Sequence, residues 1–542
     1  MSIFDPINKF KAILFSGVLT GVIAALFYYG VSTTRLQAQG LYYDELHQAA
    51  PAFAYIGRPV TQFSFLVVRG LPFMNMSYSG AIKTAFYGLY LKESGSPFTV
   101  RSWRLTGILF ISAGLLLFAF ILRKVLPLPG LLVFYLFLLT DVTFILTTRH
   151  DWGPVALAAF FRLLLIAVWL RGELSQKPGA LNSFWLGCLV GISIFEKLSS
   201  IILLVPLFLM LFASPLRRTW KHLLAAAGGG LLGVSPLIFA NTFSYINYGN
   251  LISLQLPNVP PALSASGFVS YLAEFLSMGA GSALQSFILG HSQPTANTVE
   301  ICLLSLTLVG LLLLLARSKA LTPLLRSAGV MLSSYLGIFL AFYFFPQTTG
   351  YYHWIVSTPF QYIALALLVV AAQKGEIEWK GLVSWKAGLA LLLVFSLFRA
   401  GGLITLEQSL LRGDASETWD HSLTSIGQFA GQNANKAVFI AVDWGTANQM
   451  ICFTNGQPGV VYEVSTKFGE AQGNVLYILK NVHRSQFYLV FRNLSFIGKE
   501  HMISQLTQQV AQALAPDWQQ QPVEDVVQDF TAVSVVKFVR IK

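Results

Sequence analysis

Residues 12–31 read AILFSGVLTGVIAALFYYGV, an unbroken run without a charge. At 1.5 Å per residue such a run crosses the roughly 30 Å hydrocarbon core of a bilayer. Lys9 and Lys11 precede it, but it is too long for a signal-peptide core and lacks a small-x-small cleavage site, so it reads as a retained first span. Further apolar runs lie near 105–122, 131–147, 154–170, 182–195, 198–213, 222–240, 299–316, 327–345, 354–372 and 383–402. The expected fold is mainly α, a polytopic membrane bundle of about eleven spans. The runs flanking Glu196 and Lys197 can also be read as one broken hairpin.

Composition agrees. Of 542 residues 55% are hydrophobic and 11% charged, with a mean hydropathy of +0.62, against roughly 25% charged residues in soluble domains. A wholly soluble protein is excluded. The net charge of +12 comes from basic residues placed singly or in pairs between apolar runs, a pattern that orients membrane proteins and does not build a nucleic-acid surface. Lys9, Lys11, Arg123, Lys124, Arg171, Arg217, Arg218, Lys221 and Lys374 fall in one set of loops, whereas the short loops of the other set hold only Arg149 and Lys197. The N-terminus is therefore expected in the cytoplasm, and the loop 32–104 and the C-terminal region outside it. Cys188, Cys302 and Cys452 are too dispersed to suggest a disulfide framework or a metal site.

Near Gly413 the composition turns polar, dividing the chain into a membrane module, 1–412, and a soluble α/β domain, 413–542. Strands are expected at 437–442, 459–464, 486–491 and 533–541, and helices at 446–453 and 499–514. In the long first loop, 45–55 and 80–90 have the amphipathic character of short interfacial helices. The turn Asp443-Trp444-Gly445 suits a helix entry better than a ligand turn.

The densest chemistry is Tyr42-Tyr43-Asp44-Glu45-Leu46-His47. Adjacent carboxylates repel, so one is expected to hold its proton more tightly and to serve as a base towards a hydroxyl. The same acids can simply start a helix. Arg149-His150-Asp151-Trp152-Gly153-Pro154 forms a compact turn in which Asp151 and His150 can bind a metal or a cationic partner, or Asp151 can cap the next helix. Glu196 and Lys197 sit at membrane depth, where ionisable groups need partners. Lys197 can reach a phosphate or snorkel to the interface. His353, in Tyr351-Tyr352-His353-Trp354, belongs to an aromatic belt and can donate to a lipid-linked phosphate. Asp141 and Arg162, at similar depth on consecutive spans, are expected to form an intramembrane ion pair.

Asp44-Glu45-x-His47 after a first span resembles the protein O-mannosyltransferases and their bacterial relatives, membrane glycosyltransferases of the GT-C fold. The segment 187–206 around Lys197 is similar to one in bacterial members, with Glu196 departing from the usual small polar residue. The resemblance implies inverting transfer of a sugar from a polyprenyl-phosphate donor to a lipid, glycan or protein acceptor on the non-cytoplasmic face. Asp44 would be the base and Glu45 its neighbour at the acceptor or a metal. His47, Arg149, His150, Asp151, Lys197 and His353 would contact substrate, and a divalent metal stays open. A bacterial plasma membrane is favoured, since no endoplasmic-reticulum retention signal ends the chain. Two other classes fit the topology: a transporter or flippase of lipid-linked sugars, disfavoured because no paired repeat is found, and a non-catalytic scaffold.

Overall fold

The computed structural model describes residues 6–541, apart from 62–63, 214–218, 254–264, 293–297, 299–300, 303–304, 306–307, 310–321, 345–350, 378–384, 444, 465–470, 481–483, 493–499 and 523–531. Most of the expected run 299–316, and Trp444 and Lys499, lie outside the described residues. Helix α1 (Pro6–Thr33) leads into the long loop, which carries α2 (Tyr43–Leu46), a 3-10 turn (Ala50–Ile56), the strands β1 (Leu66–Val68), β2 (Leu71–Met76) and β3 (Ser79–Gly80), and α3 (Ile82–Ser94). The bundle continues with α4 (Val100–Leu122), α5 (Leu128–Leu139), α6 (Val142–His150), α7 (Val155–Leu174), α8 (Ala180–Glu196), α9 (Leu204–Phe212) and α10 (Trp220–Tyr248). It is completed by α11 (Ala265–Ala280), α12 (Ser282–Leu289), α13 (Pro323–Phe344), α14 (Tyr351–Trp354), α15 (Phe360–Gln373) and α16 (Trp385–Arg412).

Among the described residues five helices are long and apolar enough to cross a membrane, or seven if each bent pair is one span. The expected eleven full spans are not shown among the described residues, where several runs form short or bent pieces. The run 131–147 is α5 and α6 meeting at 67°, with Asp141 capping α6 through the Phe144 N–H, 2.9 Å. This bend overturns the expected Asp141–Arg162 pair, which assumed two straight neighbours. Asp141 instead accepts from the Tyr362 hydroxyl, 2.6 Å, and lies 3.9 Å from Arg399 Nη2. Arg162 donates to the carbonyls of Ile355 and Thr358, 3.1 Å each. The loop 241–298 likewise holds α11 and α12, a second apolar pair bent by 69°.

Burial sorts the helices. The segment Ile355–Gln373 is 89% buried and central, whereas α10 is 28% buried and peripheral. α10 packs on α8 through small residues: a Cβ at Gly187 would stand 1.9 Å from the Ala226 carbonyl, and one at Gly229 1.9 Å from the Phe184 carbonyl. Because the obstruction is backbone, Gly187→Leu is expected to cost about 3 kcal/mol or more, read as a lowered unfolding temperature in detergent.

The C-terminal region adds α17 (Ser422–Asn433), β4 (Ala437–Ala441), α18 (Ala447–Phe453), β5 (Val461–Glu463), α19 (Ala471–Lys480), β6 (Gln486–Arg492), α20 (Glu500–Leu514), β7 (Trp518–Gln521) and β8 (Val533–Arg540). The sheet runs β5-β4-β6-β8-β7, with β4 parallel to β5 and β6, and β8 antiparallel to its neighbours. β7 runs through Gln519-Gln520-Gln521, a polar stretch that alternation could not reveal as an edge strand. One face of this sheet shares a core with the first loop: Leu46, Phe53, Tyr87 and Trp103 pack with Ile426, Phe439, Met450 and Tyr488.

Candidate active site

The loop after α1 is held by two guanidinium groups wholly enclosed in protein. Arg149, in the last turn of α6, donates to the carbonyls of Ser32 and Arg35 and to Gln39 Oε1, 3.2 Å each. Arg104 of α4 donates to the carbonyls of Leu36, Gln39 and Gly40, at 2.7, 2.9 and 2.9 Å. Arg104 also grips Glu45 with two parallel bonds, Nη2 to Oε1 at 2.6 Å and Nε to Oε2 at 3.0 Å. Glu45 Oε1 in addition accepts the Tyr42 N–H, 3.1 Å. Glu45 is therefore committed to protein on both oxygens.

Asp44 precedes it by one residue, about 100° around the helix, and faces elsewhere. Its Oδ2 accepts the Trp152 indole N–H, 3.2 Å, and its Oδ1 lies 3.6 Å from His47 Nδ1. Its side chain keeps 19% exposure, which gives a reactant access. Burial lifts its carboxyl from 3.8 to about 6, against the opposing pull of the Trp152 bond and the Lys197 charge. The sequence anticipated a raised carboxyl here but from Glu45 repulsion; Arg104 neutralises Glu45, and burial is the cause. Burial also holds His47 neutral, down to about 4.

Lys197 occupies the break after α8 in extended conformation, and its neighbour Leu198 donates its N–H to the Tyr78 carbonyl, 2.9 Å. Its Nζ donates to the Gly153 carbonyl, 2.6 Å. One turn, Asp151–Gly153, thus touches both charges: Trp152 holds Asp44 and Gly153 holds Lys197. Asp151 anchors that turn, accepting the Ala156 N–H, 2.7 Å, and pairing with Lys83 of α3. Lys83 lies 3.6 Å above the Trp103 ring. Glu196 receives the Ile82 N–H at the start of α3, 3.1 Å, a favourable place for a negative charge. His353 sits close enough to Lys197 for that cation to add to burial in pushing its imidazole well below the usual range. His150 lies apart, its Nδ1 at 2.9 Å from the Leu146 carbonyl and its ring on Trp419.

Asp44, His47, Lys197 and His353 are thus brought together around one turn, Asp44 being partly exposed. Asp151 supports that turn; Glu45, Arg149 and His150 are built into the surrounding protein. Trp152, Lys83 and Arg104 went unnoticed in the sequence. The available signal was a cation on the apolar face of an amphipathic helix and another at the head of a span. Trp152 is fixed by rings from separate segments, stacking on Phe287 at 4.7 Å and meeting Tyr42 and Trp419 edge-on.

The C-terminal domain closes over this motif. Asn448 donates to the Tyr43 carbonyl, 3.2 Å, Gln449 to the Leu41 carbonyl, 2.8 Å, and the Gly40 N–H to the Trp419 carbonyl, 2.7 Å. A Cβ at Gly40 would stand 1.9 Å from the Asp420 carbonyl, so the junction requires glycine.

Among the described residues no group of three or more His, Cys, Asp or Glu side chains is placed to hold a metal ion. What the arrangement can do is remove a proton above about pH 6 beside the side-chain nitrogen of Lys197. Trp152→Phe deletes a bond that favours the charged carboxylate. Asp44 should then titrate above pH 6, read from the pH dependence of its esterification by a diazo reagent that requires the free acid.

Comparison with models of known protein families finds no match, and comparison with curated proteins finds none either.

Proposed function

We propose that this chain is a membrane glycosyltransferase that moves a sugar from a polyprenyl-phosphate donor to an acceptor hydroxyl, with inversion. The observation that carries the reading is the pairing, through one turn, of a raised, partly exposed Asp44 carboxyl with the Lys197 side-chain nitrogen. The resemblance of Asp44-Glu45-x-His47 to the GT-C enzymes supports it. A lipid, glycan or protein would supply the acceptor.

In this mechanism Asp44 takes the proton of the acceptor hydroxyl as its oxygen attacks the anomeric carbon. The bond from that carbon to the phosphate oxygen breaks, and its electron pair leaves with the polyprenyl phosphate. Lys197 stabilises the charge that develops there; neutral His353 offers a second hydrogen bond. A single displacement needs one base, which suits a site where Glu45 is occupied by Arg104. Glu45 is then a positioning residue. The site would face the non-cytoplasmic side of a bacterial inner membrane, with the N-terminus in the cytoplasm and about eleven spans.

The test is turnover of a panel of radiolabelled polyprenyl-phosphate sugars by purified protein in detergent, wild type against Asp44→Asn. Consumption that disappears in a folded variant supports the reading. A donor that is moved across vesicles without being consumed points to a flippase and overturns it.

A further inference from the structure

β1 and β2 form a hairpin in the first loop, paired Val68 to Leu71 and Val67 to Pro72. Its two-residue turn, Arg69-Gly70, has both residues at positive φ, 52° and 81°, the backbone that matches a twisted ribbon. Only its root is covered: Leu66 and Phe73 pack on the bundle core. Towards the tip Val67, Val68 and Leu71 stand 47, 38 and 40% exposed, and Phe65, just before Leu66, stands 48% exposed. Val67 and Val68 are consecutive and point to opposite faces, so the ribbon is apolar on both sides where it leaves the protein. β3 pairs with β2 only at Met74 and Met76, so the end of the hairpin beyond Pro72 is two-stranded, and it is this end that exposes its apolar side chains.

The level of the hairpin says what covers it. The Phe73 ring meets Phe195 of α8 at 5.8 Å and Phe239 of α10 at 6.2 Å. Past Phe239, α10 continues to Tyr248, roughly 13 Å further, and still presents Phe243 and Ile246 outward at 42 and 75% exposure. The hairpin root is thus flanked by the outward apolar surface of a peripheral helix long enough to cross a bilayer, near the end of that surface. Ser253, on the segment after α10, donates to the Ser77 carbonyl at 2.7 Å and fixes the hairpin's far end at that height.

We propose that the β1–β2 hairpin lies on the lipid bilayer, with Val67, Val68 and Leu71 in the boundary between headgroups and acyl chains and Arg69 turned up to the phosphates. This is the placement apolar side chains flanked by a long cation adopt at an interface. It rests on the bundle crossing a bilayer and is independent of the glycosyltransferase reading. The hairpin's continuation, through Tyr78 and Ser79, is the segment bonded to the backbone at Lys197 and Leu198, so lipid contact bears directly on the position of Lys197.

The experiment places a nitroxide at Val68→Cys, in full-length protein carrying Cys188→Ala and Cys302→Ser, within nanodiscs of phosphatidylglycerol and phosphatidylcholine. Collision rates with oxygen and with a water-soluble nickel chelate are compared with those of labels at Leu232→Cys on α10 and Gln520→Cys on β7, both exposed. The expected result is an oxygen-to-nickel ratio between the two references and nearer Leu232. A ratio equal to that of Gln520 places the hairpin in water and overturns the proposal; exclusion of both reagents assigns the surface to a protein contact and also overturns it. If the Leu232 label itself is nickel-accessible, the membrane placement of the bundle fails first. Leu71→Cys repeats the measurement should Val68→Cys not fold.

Discussion

Asp44→Asn is expected to abolish sugar transfer and, at the same time, to make the protein more stable. A positioned general base contributes typically 10²–10⁴-fold, so turnover should fall by about that factor with little change in donor affinity. The stability gain follows from the same geometry. In the folded protein the carboxyl is raised from 3.8 to about 6, so the folded state binds the proton more tightly than the unfolded chain. Below pH 3.8 both states are protonated and nothing is lost; between about pH 4 and pH 6 stability falls because the unfolded chain releases the proton while the folded carboxyl keeps it. Above pH 6 the cost levels off at about 3 kcal/mol. Asparagine never ionises and escapes it. Unfolding temperature in detergent should therefore be higher for the variant at pH 8 and converge with wild type near pH 3.5. An inactive variant that unfolds earlier than wild type at pH 8 would count against Asp44 as a base. The wild-type rate should show an acidic limb near pH 6, because the base acts only when deprotonated.

Much of the membrane part was legible, because apolar runs of helical length are a strong and local signal. What failed was the passage from a run to a straight span. Thr140 and Asp141 sit in the middle of one run, yet Asp141 can cap a helix, and the capping bond that it makes bends the run by 67°. Depth estimates taken along the run then paired it with the wrong arginine, when its partner, Arg399, comes from more than two hundred residues away. In the C-terminal domain the strands with alternating or continuous apolar residues were readable. β7 was not, since Trp518–Gln521 gains its strand character from pairing with β8. The cluster around Asp44 could be picked out in the sequence because acids and a histidine stand together there. The division of labour between Asp44 and Glu45 could not, for it depends on Arg104, a residue of the next span. Trp152 carried no polar signal at all; only the fold shows its indole N–H turned to a carboxylate.

That division of labour gives the second large effect. Glu45→Ala should destabilise the protein by about 3–5 kcal/mol, the usual consequence of leaving a buried charge without its partner. Here both side chains are fully buried, so the stranded Arg104 guanidinium has no solvent to turn to. Arg104→Met should cost at least as much, since it also releases the carbonyls of Leu36, Gln39 and Gly40 from their donor. The double variant Glu45→Leu, Arg104→Met removes both charges and should recover part of the Glu45→Ala loss, because a buried pair often contributes little over apolar packing of similar volume. Full recovery is not expected, as three carbonyls stay without the guanidinium. These changes are read by thermal unfolding in detergent; a Glu45→Ala protein as stable as wild type would remove the structural role assigned to the pair. The contrast with the neighbouring position is the sharper test. Two acids adjacent in the chain should separate completely, one lost as chemistry without loss of fold and the other lost as fold. A helix of four residues can produce that separation only by sending them to different faces, one to Trp152 and partial exposure, the other to Arg104.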